Sequence, residues 1–146
     1  MDAQLHSREL TITRVFDAPR DLVFKAWTDG RMLAQWFGPQ GFTNPICECD
    51  ARVGGKIRIV MRGEFTELDP PRRLAFINNA VDQDDNVVLN GLTTVSFEEQ
   101  GRKTKMTFHT RASGTLPQVV FMLQGMEAGW TQSFDKMDAM FAGKPA

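Results

Sequence analysis

Apolar positions along this chain repeat with two different periods. Through most of the sequence they alternate with polar positions, which is the period of a half-buried strand, and elsewhere they recur every third or fourth residue, which is the period of a helix. The alternation predicts strands over residues 9–16, 46–53, 56–62, 64–68, 73–80, 87–98 and 103–112. The helical spacing predicts two short helices after the first strand and one long helix over Leu116–Phe141.

Polar residues and breakers mark the ends of the two short helices. Asp17 is positioned to cap the first helix, and Pro19 to open its first turn. Asp29 is positioned to cap the second helix, which ends at Gly38 and Pro39. The apolar sides of these helices are formed by Leu22, Val23, Ala26 and Trp27, and by Met32, Leu33 and Trp36.

Turn residues separate neighbouring strands by only a few positions, so an antiparallel meander is the simplest arrangement. The turns are predicted at 53–56, 69–72, 82–86 and 100–102. The apolar side of the strands carries Leu10, Ile12, Val15, Cys47, Cys49, Ala51, Ile57, Ile59, Met61, Leu74, Phe76, Thr93, Val95, Phe97, Met106 and Phe108. The opposite side carries Glu48, Arg58, Arg62, Thr94, Ser96, Lys105 and His109. One face of the sheet is therefore apolar and the other polar.

The long helix has an apolar stripe that needs a partner surface. The stripe consists of Leu123, Met126, Trp130, Phe134, Met137 and Phe141. At about 1.5 Å per residue the helix spans about 39 Å, which is enough to cross a sheet. We therefore predict an α+β fold, in which a curved antiparallel sheet of six or seven strands wraps around the C-terminal helix.

Length, composition and charge restrict the class of protein. The 146 residues are expected to form one domain, 1–146, since domains usually contain about 100–150 residues. A composition of 42% apolar and 24% charged residues excludes disordered and low-complexity classes. The net charge of −1 argues against a nucleic-acid partner. No apolar run approaches the roughly 20 residues of a membrane span and the start lacks a signal segment, so we expect a cytoplasmic protein without a membrane span.

The two cysteines, Cys47 and Cys49, are two positions apart on one face of a predicted strand. Their Cα atoms would be about 6.6 Å apart, near the outer limit for a disulfide and poor in angle. We therefore expect two small packed thiols. The neighbouring sequence offers too few further ligands for a metal site.

Five stretches of the sequence together resemble one bacterial protein family: ITRVFDAPRDLVFKAWTD, QWFGPQGFTNPICECDARVGGKIRIVMRG, EFTELDPPRRLAF, TVSFEE and MEAGWTQSFDKM. They cover nearly the whole chain and are similar to bacterial homologues of the activator of the ninety-kilodalton heat-shock-protein ATPase, in the START/SRPBCC superfamily. The resemblance implies the helix-grip fold of the birch-pollen allergen and a hydrophobic cavity between sheet and long helix. Members include co-chaperone domains, polyketide cyclase-like proteins and an antibiotic-sequestering protein, so the resemblance implies no single activity.

The chain departs from this family in one place. Relatives usually have a longer hairpin between the strand IRIVMRG and the strand EFTELDPP, whereas here Glu64 follows Gly63 directly. Either a tight turn around Arg62, Gly63 and Glu64 joins the two strands, or a segment present in relatives is missing. The sequence is compatible with both.

Few residues have the chemistry of a catalytic group. His109 alternates with Met106 and Phe108 and is therefore expected on the polar side of its strand, and His6 is expected in a frayed N-terminus. Glu127 lies beside the apolar stripe of the long helix, where it either reaches the cavity edge or is a solvated or paired carboxylate. Because no nucleophile lies beside a base, we predict no catalytic residue, no cofactor and no metal.

Asn78 is the most informative polar residue, since alternation places it on the apolar side with Phe76. A buried amide needs a partner, which is a ligand, an ordered water or a backbone group near the strand end. Thr93 is on the same side, although threonine is common in strands for its shape alone. Gly125 and Gly129 each cost about 1 kcal/mol relative to alanine inside a helix. Either they make room for a ligand, or a neighbouring element approaches closely.

The cavity implied by the resemblance has a predicted lining of Trp36, Phe37, Phe42, Cys49, Ile59, Met61, Phe76, Asn78, Phe97, Phe108, Met122, Met126 and Trp130. Of these, Trp36, Phe37 and Phe42 are the candidates for its mouth. Methionine adapts to ligands of variable shape, although ordinary core packing explains the same residues. The predicted function is a small-molecule binding or carrier protein with a small apolar ligand.

Two alternatives accompany this prediction. One is a polyketide cyclase-like or hydro-lyase enzyme that uses Asn78 and Glu127 in the same cavity. The weaker one is a co-chaperone-like protein-binding module. Eukaryotic activators carry a separate N-terminal domain that has no counterpart here, so we expect no stimulation of the chaperone ATPase. A homodimer through an exposed sheet edge or the short helices is compatible with the sequence.

Overall fold

Antiparallel strands dominate the structure, a computed structural model that describes residues 5–37, 48–58, 61–81, 86–117 and 119–142. Along the chain the elements are β1 (His6–Phe16), α1 (Arg20–Thr28), α2 (Gly30–Trp36), β2 (Glu48–Cys49), β3 (Lys56–Arg58), β4 (Met61–Asp69), β5 (Arg73–Val81), β6 (Val87–Gln100), β7 (Lys103–Gly114) and α3 (Val119–Phe141). In the described residues, seven strands form one sheet in the order β1, β7, β6, β5, β4, β3, β2. The predicted α+β helix-grip architecture, with its curved sheet and long C-terminal helix, is confirmed.

Strand register places particular residues side by side on the face of the sheet that the helices cover, which we call the inner face. One row across it contains Leu74, Val95, Phe108 and Ile12. The next row contains Phe76, Thr93, Thr110 and Leu10. In the row after that, the pairing partners are Gly91, Ala112 and Arg8. Large apolar side chains on the inner face therefore give way to small residues along β6 and β7.

Helix α3 covers the inner face with the predicted stripe. Phe134 and Met137 are fully buried, whereas Met126, Trp130 and Phe141 are half-buried. Two groups of buried residues result: a main core that includes both short helices, and a smaller one formed by Ala112, Val119 and Leu123 with Leu89 and Met126. None of the described helices has the length and apolarity needed to cross a membrane.

Two arginines of the edge strand β1 hold α3 against the sheet. Arg8 donates to Oε1 of Glu127 at 3.1 Å. Arg14 donates to Oδ2 of Asp138 at 2.7 Å and pairs with Asp135 at 2.8 Å. Because the two arginines are six positions apart on the same face of one strand, they attach the helix to the sheet at two separate points.

Only one of the two predicted helix caps is present. The side chain of Asp29 accepts hydrogen bonds from the backbone N–H groups of Arg31 and Met32, as predicted for α2. Asp17 does not cap α1, because the N-cap position is occupied by Pro19, which makes no side-chain cap bond. Pro19 therefore precedes the first helical turn instead of opening it.

Three apolar residues predicted to be buried are exposed. Val15 is 48% exposed and Leu22 is 37% exposed, and Ala51 also faces solvent. In β1 the strict alternation of buried positions continues to Phe16, which leaves Val15 on the outer face. These three predictions are wrong because an apolar residue at the end of an element fits either face on pattern alone.

The strand predicted over 46–53 does not continue to residue 53. Among its described residues, 48–53, only Glu48 and Cys49 pair with β3. Beyond them, the backbone N–H of Arg52 donates to the carbonyl oxygen of Asp50 at 2.8 Å, so the chain already turns there. Cys47 lies outside the described residues.

Of the two alternatives at Gly63, the tight turn around Arg62, Gly63 and Glu64 is not present. All three residues lie inside β4 and pair with β5. A Cβ atom at Gly63 would lie 2.2 Å from the carbonyl oxygen of Ile77. The glycine therefore permits close contact between two strands and does not form a turn.

Candidate functional site

Three polar side chains lie together on the otherwise apolar inner face. Asn78 follows Phe76 on the same face of β5, Thr93 is opposite Phe76 on β6, and Thr110 is opposite Thr93 on β7. Thr93 and Thr110 are buried, whereas Asn78 is half-buried. We call Asn78, Thr93 and Thr110 the polar cluster.

Hydrogen bonds join the members of the polar cluster. The Thr93 hydroxyl donates to Oδ1 of Asn78 at 2.8 Å. The hydroxyl oxygens of Thr93 and Thr110 are 2.9 Å apart. A buried hydroxyl without a partner costs about 1–3 kcal/mol, and both threonines avoid this cost through each other. The Nδ2 amide group of Asn78 has no hydrogen-bond partner among the described residues.

A glycine on the neighbouring strand makes room for the Asn78 amide. A Cβ atom at Gly91 would lie 2.8 Å from Oδ1 and 2.9 Å from Cγ of Asn78. Any larger residue at position 91 would therefore displace the amide from its place beside Thr93. Gly91 of β6 thus positions Asn78 through its missing side chain.

Aromatic rings cover the inner face beside the polar cluster. The ring of Trp27, from α1, has its centroid 5.8 Å from that of Phe76 and 6.1 Å from that of Phe108. On the helix side, Trp130 and Phe134 lie 6.3 Å and 6.0 Å from Trp27. The indole Nε1 of Trp27 is buried and has no hydrogen-bond partner in the described part of the chain. The layer between sheet and helices is thus apolar, with a few polar atoms at defined places.

Four of the residues predicted to line a cavity meet in this region, namely Phe76, Asn78, Phe108 and Trp130. The centroids of Phe108 and Trp130 are 4.6 Å apart, so helix and sheet are in direct contact here. Met126 and Met122 are half-buried on the preceding turns of α3, and Met126 packs against the smaller core. The role of these residues as a cavity lining stays a prediction.

Three other predicted lining residues belong to the main core, and two of them adjoin this region: the ring centroid of Trp36 is 4.6 Å from that of Trp27, and Phe37 contacts Trp130. Trp36 is fully buried and its Nε1 donates to the carbonyl oxygen of Ala26 at 2.8 Å, which is a core position and not a rim position. Phe37 is also buried, in edge contact with Trp130. The ring of Phe97 packs against α1 and is distant from the polar cluster along β6.

The remaining predicted residues belong to the chain around β2, β3 and β4. Cys49 is a half-buried thiol whose Sγ donates to the carbonyl oxygen of Thr28 at 3.4 Å. Phe42 and Ile59 lie outside the described residues, as does the side chain of Met61.

The acid and base candidates are separate from the polar cluster. His109 bonds to Glu9 on the polar outer face of the sheet, as predicted. His6 begins β1 and pairs with Gly114, so its predicted place in a frayed terminus is wrong. Glu127 is exposed and paired with an arginine, the simpler of its two predicted interpretations. Of the two residues behind the enzyme alternative, only Asn78 lies on the inner face.

One ionisable side chain of the described residues is buried, that of Lys136 on α3, which is 5% exposed. Burial lowers the pKa of its ammonium group below the ordinary value of 10.5, because the charged form loses hydration. Within the described ranges, no group of three or more His, Cys, Asp or Glu side chains is arranged to hold a metal ion.

An open groove of about 580 Å³ lies between the start of β1 and the first turns of α3. Its lining consists of Leu5, His6, Ser7, Arg8, Val120, Leu123 and Gln124. None of the predicted cavity residues takes part in it, so it is a separate surface feature.

Four residues of the site are not assigned to it from the sequence: Thr93, Thr110, Gly91 and Trp27. Of these, alternation places Thr93 on the apolar face, but its shape alone explains its presence there. Alternation does place Thr110 on the same face as Phe108, so a polar residue on an apolar face was the available signal. Only strand register places the two threonines opposite each other on neighbouring strands and Asn78 one inner-face position further along the next strand.

Comparison with known proteins agrees with this architecture. The family model described as Activator of Hsp90 ATPase homolog 1-like protein matches residues 17–142. No curated protein matches the chain.

Solved structures share the fold at low sequence identity. A protein from Nitrosomonas europaea is 20% identical, with a TM-score of 0.76 and coverage of 98% of this chain and 97% of that one. A protein from Rhizobium leguminosarum is 23% identical, with a TM-score of 0.77 and coverage of 97% and 98%. A protein from Chromobacterium violaceum is 24% identical, with a TM-score of 0.73 and coverage of 90% and 95%.

Proposed function

Because the chain belongs to the family of Activator of Hsp90 ATPase homolog 1-like proteins, and because its inner face carries the polar cluster, we propose that it binds or carries a small, largely apolar molecule. The family and the fold support a ligand-binding or carrier type of domain in general. The finer proposal places the ligand between the sheet and α3, next to Asn78.

The observation that carries this proposal is an amide with unused donors beside apolar surface. The Nδ2 group of the half-buried Asn78 has no hydrogen-bond partner among the described residues, so both of its N–H donors are available to a ligand. The neighbouring inner-face positions along β6 and β7 carry the small residues Gly91 and Ala112. Apolar walls with one defined polar contact are typical of small-molecule sites.

A native mass spectrum of the purified protein, recorded beside its denatured mass, tests the proposal directly. Extra mass that disappears on denaturation is expected, and its value gives the class of ligand. In parallel, 2-ethylnaphthalene serves as a neutral apolar probe, with saturable binding expected from its fluorescence. A bare protein that shows no saturable binding of the probe would contradict the proposal.

A pair of variants on one helix separates binding inside the fold from adhesion to its surface. Met126→Trp enlarges a half-buried side chain of α3 that packs on the smaller core. Phe121→Trp makes a similar change at a position that is 76% exposed. We expect at least a tenfold loss of probe affinity in the first variant and none in the second. Equal affinities in both would place the probe outside the proposed site.

A further inference from the structure

We infer that the ligand presents a hydrogen-bond acceptor, specifically a neutral carbonyl oxygen, to the Nδ2–H donors of Asn78. This inference rests on the proposed function and specifies the chemistry of its ligand. It follows from the number of hydrogen atoms in the polar cluster, from a second donor nearby and from the positions of the charged groups.

The hydrogens of the cluster determine the direction of its bonds. Thr93 donates to Oδ1 of Asn78, so its single hydroxyl hydrogen is used. The contact between the two threonines must then be a bond that Thr110 donates to Thr93. In this arrangement both buried hydroxyl hydrogens have an acceptor. The two N–H donors of Asn78, which is the half-buried member of the cluster, have none.

Interatomic distances alone do not exclude the reversed orientation of the Asn78 amide, with Nδ2 and Oδ1 exchanged. That orientation leaves one buried hydroxyl hydrogen without an acceptor. With Nδ2 beside Thr93, the hydroxyl of Thr93 would donate to Thr110. The hydroxyl hydrogen of Thr110 would then have no acceptor among the described residues, although Thr110 is only 1% exposed. An unpaired hydroxyl in that place is costly, so the observed orientation is the stable one.

A second unused donor lies in the same layer. The Nε1–H of Trp27 is buried without a hydrogen-bond partner in the described residues, and the ring of Trp27 packs on Phe76, the neighbour of Asn78 on the inner face of β5. Asn78 Nδ2 and Trp27 Nε1 are both donors, whereas the unpartnered acceptor of the described residues, Asn79 Oδ1, belongs to the opposite face of β5. A molecule that hydrogen-bonds to these donors must supply acceptor atoms.

The charged groups favour a neutral acceptor over a carboxylate. On the described inner-face positions of the strands, the arginines are Arg8 and Arg14, both on the edge strand β1. Both are already paired with carboxylates of α3. A carboxylate beside the neutral amide would lose hydration without a counter-charge at that place, because the buried Lys136 lies ten residues along α3 from Met126. A ketone, ester or amide carbonyl needs no counter-charge.

Two naphthalene probes of nearly equal shape test the inference. 2-Acetylnaphthalene carries a carbonyl oxygen, and 2-ethylnaphthalene has no acceptor. We expect the wild-type protein to bind the ketone about five- to tenfold more tightly, as one neutral hydrogen bond of roughly 1–1.4 kcal/mol implies. Asn78→Leu is expected to abolish this preference while it still binds the hydrocarbon.

Two further variants make the result independent of folding defects. Asn78→Asp keeps an acceptor for the Thr93 hydroxyl but removes the N–H donors, so it is also expected to lose the preference. Asn79→Leu makes the same change one residue further, on the opposite face of β5, and is expected to retain the preference in full. The carbonyl stretch of the ¹³C-labelled ketone should shift to lower frequency in the wild type and in Asn79→Leu only.

The outcomes distinguish this inference from the proposed function. Equal affinity of the wild type for both probes, or a preference that survives Asn78→Asp, would overturn the carbonyl inference and leave the binding function intact. Failure of the wild type to bind either probe, with no ligand in the native mass spectrum, would overturn both.

Discussion

Thr93 connects the other two members of the polar cluster, since its hydroxyl bonds both to Asn78 and to Thr110. Thr93→Val keeps the shape of the side chain and removes both bonds. We expect the free energy of unfolding to fall by about 1–3 kcal/mol, because a buried amide oxygen and a buried hydroxyl lose their partner. Urea unfolding measures the change. Thr94→Val, on the outer face of the same strand, is the control and is expected to change stability by less than about 0.5 kcal/mol.

If Thr93→Val and Thr94→Val lower the free energy of unfolding equally, the hydrogen bonds of the polar cluster contribute no stability beyond the effect of a Thr-to-Val change in a strand. Thr93→Ser provides a second check, because it retains the hydroxyl group. We expect it to preserve the ketone preference of the site, whereas Thr93→Val weakens it by releasing the Asn78 amide.

The buried ammonium group of Lys136 gives the protein a predictable pH dependence. Its pKa is lowered by burial, so the unfolded chain retains this proton to higher pH than the folded protein does. The unfolded state binds more protons between the folded pKa and 10.5, and stability therefore rises with pH in that interval. Relative to Lys136→Met, the wild type should gain stability as the pH rises toward 10.5.

Thermal unfolding of the two proteins between pH 7 and the alkaline limit of folding measures this difference. Lys103→Met, at an exposed position of β7, controls for the loss of one positive charge. A stability difference between wild type and Lys136→Met that is constant over the whole pH range would contradict the predicted effect of burial.

At the scale of elements, helix α3 contains a glycine that packing does not explain. A Cβ atom at Gly125 would meet no atom within 4 Å, so of the two interpretations offered for this glycine, close approach of a neighbouring element is wrong. Gly125→Ala should raise the free energy of unfolding by about 0.5–1 kcal/mol, since alanine restricts the unfolded chain and favours the helix. Gly91→Ala should have the opposite effect, because its Cβ would lie 2.4 Å from the carbonyl oxygen of Asn78.

Chemical denaturation of these two alanine variants measures both effects. A loss of stability in Gly125→Ala would indicate that the helix needs a bend at this point, which is the ligand-related interpretation of the glycine. In that case, the affinity for 2-ethylnaphthalene should fall together with stability.

The attachment of α3 to β1 depends on ion pairs that solvent partly reaches. Arg14 contacts Asp135 and Asp138, and its own side chain is mostly buried. Arg14→Met keeps the aliphatic stem and removes these pairs, so we expect a loss of about 1 kcal/mol, smaller at high salt. Amide hydrogen exchange should become faster in the C-terminal half of α3 and stay unchanged in β6. Arg102→Met, in the exposed turn between β6 and β7, is the control; equal exchange in both variants would contradict the role given to Arg14.

At the scale of the whole molecule, ligand binding should appear as stability. A ligand that binds only the folded state at 100 times its Kd adds about 2.7 kcal/mol to the free energy of unfolding. For a chain of this size, this corresponds to a rise of roughly 5–10 °C in Tm. We expect 2-acetylnaphthalene to produce such a rise in the wild type and a clearly smaller one in Met126→Trp. An unchanged Tm at saturating probe would be inconsistent with binding to the folded protein.

Several predictions about the whole molecule stay predictions. They are the single domain over 1–146, the cytoplasmic location, the absence of a nucleic-acid partner and the homodimer. Sedimentation velocity over a range of protein concentrations would decide the last of these.

The amino-acid sequence by itself determined the order and type of the elements, because two periods of apolar residues are visible without knowledge of the fold. It also placed Phe76, Phe108, Trp130 and Asn78 on buried faces. Its errors lie at element ends, such as Val15 and Asp17, where one residue more or less changes the face or the cap. At element ends the local sequence is compatible with two arrangements of similar energy, so it does not decide which face a residue takes or which residue caps the helix.

Only the tertiary structure decided which residues meet. Asn78, Thr93 and Thr110 are distant in sequence and join because three strands pair in one register. Trp27 reaches Phe76 and Phe108 because α1 packs on the inner face, and Gly91 matters because a neighbouring strand brings an amide to it. The physical reason is that alternation is local and repeats every two residues, whereas strand register and helix packing depend on the fit of distant segments.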